Sequence, residues 1–494
     1  MDSEVTQEPW FRDRSRLHPF TLIGQLSTGG ASSSALFPWV EDSLSTLWQG
    51  HLDDNNLKND WMEMVHAWSG ALAIGTKGAL NVVSVSRSAK SFRVSLPVHG
   101  PGDHTVRSIA WALLHSVPFE PLILMSSESV LYIVNATRAH VAGYIRGHGG
   151  LITSIAVHPT LPHMVCTTSR DFTARIYDLT QSPDQGINHI PGSHKATDRL
   201  YGAPHGLRMV ESEGKGIGRC TVVLMGSESG GHASSVLGAA FHPSLPLIAT
   251  CGLDHAVKIW RLPLSVDEKQ HREDRPVFSS SRIHKSRVLS VAWLDQDILL
   301  THSAPVLVRE EIGESVEFHY EDGIMAVWCW LGLDRYLPPG QPWSEKSVPG
   351  CKSDYRDSFS FKMLASASLP QETRDLRVYR MPTRDPLVII SLPSSIRLVN
   401  VIHLPKRKVQ PFPLDKDVLA EATARQLDDG EEDEVVSVMG AQNSKPAMVE
   451  GWEIRVPNFT LESPQQVQHS IMGLNGSLLV AAGSKGTVWF WQTK

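Results

Sequence analysis

The sequence has few of the features that identify secreted, membrane or metal-binding proteins. Only five of its 494 residues are cysteine, and no two cysteines are spaced as Cys-x-x-Cys. An odd number without that spacing disfavours a disulfide framework and a structural zinc site. The apolar stretches, such as residues 246–252, are far shorter than the ~20 residues that a membrane helix needs. The N-terminal residues lack an apolar signal segment. We therefore expect an intracellular protein without a membrane partner.

An excess of charge of one sign is also missing. There are 46 Lys and Arg residues against 52 Asp and Glu residues, which gives a formal net charge of −6. Broad contact with nucleic acid needs a basic face, so we expect no direct, sequence-specific nucleic-acid binding. The sequence is 41% hydrophobic and 20% charged, which disfavours a disordered or fibrous chain.

Sequence motifs of catalysis are absent as well. The sequence contains no Gly-x-Ser-x-Gly elbow, no His-Glu-x-x-His and no Asp-x-Asp-x-Asp-Gly loop. Residues 214–218 (GKGIG) do not have the spacing of a phosphate-binding loop and are interpreted as a flexible loop. The histidines with recognisable sequence contexts lie in repeats or before prolines. We therefore predict that the chain is not an enzyme and holds no metal or cofactor.

Two stretches of the sequence repeat one another. Residues 147–180 and 231–263 both run through Gly-His, an apolar alternating strand, His-Pro, a second strand, a turn with Asp, and a third strand with an aromatic residue near its end. In the first, 23 residues separate His148 from Asp171; in the second, 22 separate His232 from Asp254. This pattern resembles the WD40 repeat, with Tyr177-Asp178 and Trp260-Arg261 at the dipeptide position.

The WD40 resemblance implies a buried polar network in each repeat. In the first, His148, Asp171 and Tyr177 would join Thr167 or Ser169. In the second, His232, Asp254 and Trp260 would join Thr250. Buried donors and acceptors of these types satisfy one another.

Weaker copies bring the repeat count to seven. They include residues 71–85, 104–135, 284–330, 359–382 and 477–494. Because one repeat cannot bury both faces of its sheet, seven blades are expected to close into a ring. The fold class is therefore all-β, a seven-bladed WD40 β-propeller with long loop insertions. The chain ends at a third-strand position, so residues 20–25 or 45–49 are expected to supply the missing outer strand.

The domain prediction follows from the repeat count. Residues 1–40 are interpreted as an N-terminal tail, with disorder as one alternative, and residues 41–494 as a single propeller. Insertions are expected at about 181–230, 264–282, 304–322 and 405–450. Removing the tail and insertions leaves about 320 residues, which suits seven blades of about 40–45 residues each.

Several repeats resemble one family more closely. Residues 147–159 (GHGGLITSIAVHP), 251–262 (CGLDHAVKIWRL), 283–294 (IHKSRVLSVAWL) and 361–365 (FKMLA) are similar to the embryonic ectoderm development / Extra sex combs proteins of Polycomb repressive complexes. That resemblance implies a nuclear, non-catalytic scaffold. Its partners would be an Enhancer-of-zeste-type SET-domain methyltransferase and other Polycomb subunits, and it would support gene repression through histone H3 methylation.

The family also binds trimethyl-lysine in an aromatic cage, which makes the histone H3 tail a candidate partner. The cage positions carried over by resemblance are Trp61, Arg107, Cys351 and Lys352, with Tyr355 if the alignment shifts by three residues. Such a cage needs two or more π-faces, because each cation–π contact contributes only ~0.5–2 kcal/mol. Arg107 and Lys352 would repel a methylammonium group. We therefore expect a degenerate cage.

One alternative from another functional class stays open. A general WD40 adaptor, such as a ubiquitin-ligase substrate receptor or another chromatin scaffold, would have the same repeats. The fold alone does not distinguish it from a methyltransferase scaffold.

Overall fold

Seven four- or five-stranded blades, antiparallel except for the outermost strand of blade three, form most of the described structure. The computed structural model describes residues 9–47, 55–85, 91–97, 104–114, 116, 118–184, 212–226, 230–263, 270–312, 315–337, 354–381, 384–406, 446–457 and 465–493. In six blades the strands run from the central channel outward in chain order, and in blade seven the outer strand comes from the N-terminal segment. The prediction of a seven-bladed β-propeller is confirmed.

Strands are numbered in chain order. Blade one contains β2 (Ser33–Leu36), β3 (Ala71–Thr76), β4 (Ala79–Ser84) and β5 (Phe92–Ser95). Blade two contains β6 (Val106–Leu113), β7 (Pro121–Ser127), β8 (Val130–Asn135), β9 (His140–Arg146) and β13 (Gly214–Lys215). Blade three contains β10 (Ile152–Val157), β11 (Met164–Ser169), β12 (Ala174–Asp178), β14 (Arg219–Leu224) and β18 (His271–Glu273), the last paired in parallel. Blade four contains β15 (Val236–Phe241), β16 (Leu247–Gly252), β17 (Val257–Arg261) and β19 (Phe278–Ser280).

The other three blades complete the ring. Blade five contains β20 (Val288–Trp293), β21 (Ile298–Ser303), β24 (Ile324–Trp330) and β25 (Phe361–Ser368). Blade six contains β26 (Asp375–Met381), β27 (Arg384–Ser391), β28 (Ser395–Asn400) and β29 (Trp452–Arg455). Blade seven contains β30 (Val467–Gly473), β31 (Leu478–Gly483), β32 (Thr487–Thr493) and, as its outer strand, β1 (Phe20–Ser27). A separate hairpin contains β22 (Val306–Ile312) and β23 (Ser315–Glu321).

The core lies between neighbouring blades. Every residue of β3, β7, β8, β16 and β31 is buried. A strand covered on both faces is expected to be continuously apolar, because neither face meets water. These strands are accordingly rich in Val, Ile, Leu and Ala. Burial on both faces therefore depends on ring closure.

The N-terminal segment closes the ring. β1 pairs with β32 in an antiparallel register that runs from Phe20 opposite Thr493 to Ser27 opposite Thr487. Of the two predicted closing segments, residues 20–25 supply the strand, whereas residues 43–47 form helix α1 (Ser43–Leu47). The interpretation of residues 1–40 as a tail is wrong for β1 and β2, which belong to blades seven and one.

The predicted insertions contain blade strands as well as loops. Residues 181–230 include β13 and β14, residues 264–282 include β18 and β19, and residues 304–322 form the hairpin β22–β23. These strands are short or follow polar segments, so composition did not reveal them. Most of the predicted insertion at 405–450, with its basic and acidic runs, lies outside the described residues.

One repeat boundary is displaced from its predicted position. The sequence places residues 359–382 in one repeat, but β25 is the outer strand of blade five and pairs with β24. The inner strand of blade six begins later, at Asp375. An apolar strand at either blade position has the same alternation, so the pattern alone did not separate them.

Helices occur where the strands of a blade are interrupted. The longest is α2 (Asn55–Trp68), which lies between β2 and β3 and buries Leu57, Trp61, Met64, Val65 and Trp68. This spacing of three, four and seven residues places the buried side chains on one helix face. Short helices follow at α3 (Leu333–Tyr336) and α4 (Asp354–Asp357), with 3₁₀ turns at Trp10–Arg12 and Val401–His403.

Candidate functional site on the upper face

The upper face is defined here as the face at which the inner strands begin. The start of each inner strand pairs with the end of the second strand, as in Val106 with Ser127 of blade two and Val236 with Gly252 of blade four. The turns from second to third strands therefore lie on this face too. The turn aspartates and the loop histidines predicted from the repeats belong to it.

In blade three, His148 joins the loop before β10 to the turn after β11. Its Nδ1 lies 2.9 Å from Asp171 Oδ2, and its Nε2 lies 2.7 Å from Thr167 Oγ1. The Tyr177 hydroxyl also hydrogen-bonds Thr167. Asp171 accepts hydrogen bonds from the backbone and hydroxyl of Thr173, at 3.0 and 2.7 Å. The structure thus brings the predicted residues of this network together, with Thr167 rather than Ser169 next to the histidine.

Burial determines the protonation states in this network. Burial lowers the pKa of His148, although Asp171 opposes the shift. Burial also raises the pKa of Asp171, but its interactions with His148 and Thr173 outweigh that effect and hold the pKa below its usual range. A neutral imidazole then donates from Nδ1 to an ionised carboxylate and accepts at Nε2 from Thr167.

Blade four repeats this arrangement with a tryptophan. His232 Nδ1 lies 3.0 Å from both carboxylate oxygens of Asp254, and its Nε2 lies 2.8 Å from Thr250 Oγ1. Trp260 Nε1 donates to the same Thr250 hydroxyl at 2.8 Å. Thr250 can therefore accept from the indole while it donates to the imidazole. Every polar group of this network has a partner, which suits a structural role.

Each complete network also has a buried cation that sequence reasoning missed. Arg175 and Lys258 stand two residues before Tyr177 and Trp260, and only 1% and 5% of their surface is exposed. Their charges lower the pKa of Asp171 and Asp254, respectively. Burial lowers the pKa of Lys258 to about 8, and its ammonium donates to Ser279 Oγ at 2.7 Å. Both cations stand two residues before the aromatic residue of their repeat, and this shared position was the sequence signal that could have revealed them.

Blade five contains an incomplete third network, which was also missed. His284 Nε2 lies 2.7 Å from Thr301 Oγ1, and Trp328 Nε1 donates to that hydroxyl at 3.1 Å. His284 Nδ1 is buried without a partner among the described residues. The hairpin β22–β23 replaces the turn that carries the aspartate in blades three and four. It also separates Thr301 from Trp328 in sequence, which hid the pattern.

Trp61 does not line the channel. It lies in α2, which connects the lower ends of β2 and β3, opposite the upper face. The side chain is fully buried, its indole Nε1 donates to Val40 O and Glu41 O at 3.3 and 3.1 Å, and its ring packs edge-on against Phe119. The ring therefore presents no free face to a ligand, and its placement as a cage aromatic is wrong.

Arg107 does lie at the upper opening of the channel. It is the exposed bulge residue near the start of inner strand β6. Four other inner strands have an irregularity at the same position. The residues at these five positions are Arg107, Thr153, Leu237, Leu289 and Gln468. None of the five is aromatic, so these five positions supply none of the π-faces that a methylammonium group needs.

Tyr355 lies away from the channel. It belongs to α4, which packs against β19, the outer strand of blade four. The guanidinium groups of Arg275 and Arg356 lie 5.4 and 5.6 Å from its ring centre. The ring of Tyr355 is thus already in contact with two cations of the chain itself. The remaining two cage positions, Cys351 and Lys352, lie outside the described residues.

The upper face has no recognised reaction centre in the described part of the chain. Across the described ranges, no group of three or more His, Cys, Asp or Glu side chains could hold a metal ion. A cavity of about 420 Å³ lies elsewhere, between Trp10, Phe11, Arg12 and Arg384. Arg12 is paired with Asp385 at 2.7 Å, and Arg384 lies over the Phe11 ring. No helix in the described residues is long and apolar enough to cross a membrane.

Comparison with known proteins supports the WD40 interpretation. The family "WD domain, G-beta repeat" matches residues 140–178 and 220–261, which contain the complete networks of blades three and four. The maize Polycomb group protein FIE2 is 20% identical over 393 residues, covering 79% of this chain and 75% of the maize protein. The Polycomb protein EED of Chaetomium thermophilum is 26% identical over 186 residues, covering 36% of this chain and 26% of that protein.

A solved structure reproduces the fold over nearly the whole chain. One chain of a humanized mutant of the Chaetomium thermophilum Polycomb Repressive Complex 2, bound to an inhibitor, matches with a TM-score of 0.59 at 14% identity. The match covers 97% of this chain and 98% of that chain. At this identity the likeness shows the fold, and the resemblance to Polycomb proteins rests on the sequence matches.

Proposed function

We propose that this chain, a seven-bladed WD40 propeller similar in sequence to Polycomb group proteins, is the non-catalytic scaffold subunit of a Polycomb-type histone H3 lysine methyltransferase complex. The observation that carries the proposal is the alignment with the maize Polycomb protein across 79% of the chain. An alignment of that length is more specific than two general WD repeats. The complex would act in the nucleus and support gene repression.

In this role the propeller supplies binding surfaces and leaves the chemistry to its partner. The partner would be a SET-domain methyltransferase of the Enhancer-of-zeste type, with other Polycomb subunits. A helical segment of a partner can bury an apolar stripe in a groove on such a rigid ring. The closed ring with its doubly covered strands suits this role because it holds exposed loops in fixed positions.

We further propose that this subunit has lost or reduced the reading of trimethyl-lysine. Trp61 is buried on the opposite face, and the five bulge residues at the channel rim include an arginine and no aromatic residue. A cation at the rim would repel a methylammonium group. Another subunit would then have to recognise the methyl mark.

Co-purification from the native organism tests the scaffold role. A tagged full-length chain should recover a SET-domain methyltransferase in near-stoichiometric amount, and the eluate should methylate histone H3. The isolated chain should show no turnover. Recovery of a ubiquitin-ligase core without a SET-domain protein would contradict the proposal and support the general WD40 adaptor, which the match to the general WD repeat leaves as the second candidate.

Peptide titration tests the loss of methyl-lysine reading separately. The purified full-length chain is titrated with trimethylated and unmodified histone H3 peptides of the same sequence. We expect their dissociation constants to agree within about twofold, since the five bulge positions at the channel opening offer no cation–π energy. A preference of tenfold or more for the trimethylated peptide would show that a cage exists.

A further inference from the structure

The hairpin β22–β23 is an addition to blade five rather than part of its sheet. Its two strands pair along their whole length, from Val306 opposite Glu321 to Ile312 opposite Ser315. It replaces the short turn that joins the second and third strands in blades three and four. Among the described residues, neither outer edge of the hairpin pairs with another strand. It therefore extends from the upper face with open edges.

One face of the hairpin exposes large apolar side chains. Leu307 lies directly opposite Tyr320, and Phe318 is two residues from Tyr320, so all three share a face. Their exposed fractions are 49%, 65% and 63% for Leu307, Tyr320 and Phe318. A two-stranded hairpin is at best marginally stable unless something packs on it. An open apolar face with two aromatic rings thus indicates a surface that a partner covers.

The charge of the hairpin indicates what kind of partner fits. Residues 306–322 contain six acidic residues and one arginine, a formal charge of −5 with His319 neutral. Acidic residues make up six of these 17 positions, against 52 of 494 in the whole chain, so the segment is rich in negative charge. An acidic surface attracts basic partners and repels acidic ones, nucleic acids included. The hairpin therefore favours a partner segment rich in Lys or Arg.

At the base of the hairpin, blade five lacks two groups that the networks of blades three and four contain, the turn aspartate and the buried cation. His284 Nδ1, which would donate to an aspartate in a complete network, is buried and unpartnered among the described residues. Ala326 stands where blades three and four have a buried cation. A buried polar atom without a partner costs stability. An ion pair of Lys285 with Glu321, at 3.5 Å, joins the hairpin to the loop that follows His284.

We propose that the hairpin β22–β23 is a docking arm for an extended, basic segment of a partner protein. The segment adds as a strand to an open edge of the hairpin, so that its backbone supplies hydrogen bonds. Its apolar side chains cover Leu307, Phe318 and Tyr320, and its Lys or Arg residues complement the negative formal charge of residues 306–322. This binding requires no methylated lysine and is independent of the complex that the propeller serves.

Binding of designed peptides to the full-length chain tests the docking arm. The probes are fluorescein-labelled peptides of four Lys-Val, four Lys-Ser and four Glu-Val repeats, measured by fluorescence anisotropy. We expect the Lys-Val peptide to bind most tightly, the Lys-Ser peptide to bind weakly and the Glu-Val peptide not to bind. Raising the salt concentration from 50 to 300 mM should weaken Lys-Val binding by about tenfold, because exposed charges are screened.

A double variant and a matched control assign the binding to the hairpin. Phe318→Ser with Tyr320→Ser should weaken Lys-Val binding by about tenfold or more. Phe359→Ser changes an aromatic side chain of similar exposure, 64%, outside the hairpin and should leave binding within about twofold. Unchanged melting temperatures would show that both variants fold. Equal binding to the double variant, or equal binding of the Glu-Val peptide, would overturn the proposal. Reversible dimerisation that the double variant abolishes would overturn it in favour of a second copy of the chain.

Discussion

At the scale of single residues, each complete upper-face network pairs a buried carboxylate with a buried cation. Asp171 is accompanied by Arg175, and Asp254 by Lys258, each within a network whose histidine is neutral. Blade five lacks both the aspartate and the cation, since Ala326 occupies the equivalent position. A buried charge without a partner is strongly unfavourable. We infer that the cation and the carboxylate depend on one another.

This dependence predicts a non-additive pair of substitutions in blade four. Asp254→Asn should destabilise the protein by about 3 kcal/mol, because Lys258 would stay buried without its carboxylate. Lys258→Met should also destabilise, since it leaves Asp254 without the cation. The double variant should be more stable than the sum of the two single effects predicts, by about 1 kcal/mol or more. Urea unfolding of the four proteins measures this coupling.

The control for this cycle is an exposed aspartate. Asp274→Asn, alone and combined with Lys258→Met, should give effects that add within about 0.5 kcal/mol. If Asp254→Asn and Lys258→Met also add within that limit, the two residues are not coupled and the pairing of charges is wrong.

The residue patterns predicted some of these contacts and missed others for identifiable reasons. Offsets of 23 and 22 residues pointed to His148 with Asp171 and to His232 with Asp254, because both turns are short. The third network went unnoticed because an inserted hairpin separates Thr301 from Trp328. The assignment of Trp61 to the cage was wrong for a different reason. Sequence resemblance alone could not show that the segment with Trp61 forms a helix on the lower face.

At the scale of elements, β1 is the strand on which closure of the ring depends. It joins the first part of the chain to β32 near its end and buries Phe20 in blade seven. The 3₁₀ turn before it buries Phe11 in the same core, where the Trp10 ring packs edge-on against Trp452. The sequence predicted that a strand from the N-terminal side must close the ring. It did not predict which one, because neither candidate segment alternates strictly between polar and apolar residues.

Removal of β1 should therefore affect the whole ring. A variant without residues 1–28 loses the ladder with β32 and the burial of Phe11 and Phe20, which contribute about 1.5–3 kcal/mol each. We expect a loss of more than about 5 kcal/mol, comparable with the total stability of many domains. A variant without residues 1–8 retains β1 and should unfold at the same urea concentration as the full chain. Equal unfolding midpoints for all three proteins would contradict closure by β1.

The outer strands explain why insertion boundaries were harder to predict than blades. The strand β19 has only three residues, and both β14 and β19 follow segments rich in polar residues and glycine or proline. Middle strands such as β16 are buried on both faces and must be apolar, so they stand out in the sequence. Outer strands meet solvent on one edge and are less constrained.

At the scale of the whole molecule, ring closure buries many ionisable side chains between blades. Burial lowers the pKa of four histidines to about 3 or 4, from an ordinary value of 6.5: His158, His284, His302 and His469. These rings are neutral in the folded protein above pH 4. In the unfolded chain they would bind protons below pH 6.5. Folding stability is thereby linked to pH.

The sign of this linkage predicts acid sensitivity. Between pH 6.5 and 4 the unfolded chain binds more protons than the folded protein, so the free energy of unfolding decreases as the pH falls. Each such histidine contributes about 1.4 kcal/mol per pH unit in this window. Burial raises the pKa of Glu213 and gives the opposite sign, but it is one group against four. Urea midpoints at pH 7.5, 6.5, 5.5 and 5.0 should fall steeply below pH 6.5.

A single substitution tests whether the buried histidines, rather than surface residues, cause the pH dependence of stability. His284→Gln keeps a polar group that can reach Thr301 but cannot titrate, so it should reduce the pH slope by about one proton, or 1.4 kcal/mol per pH unit. Asn55→Gln, at an exposed position that begins α2 and does not titrate, should leave the slope nearly unchanged. A flat stability between pH 7.5 and 5.0, or equal slopes for the wild type and His284→Gln, would mean that the buried rings do not control acid unfolding. In that case ring closure would not be the source of the pH dependence.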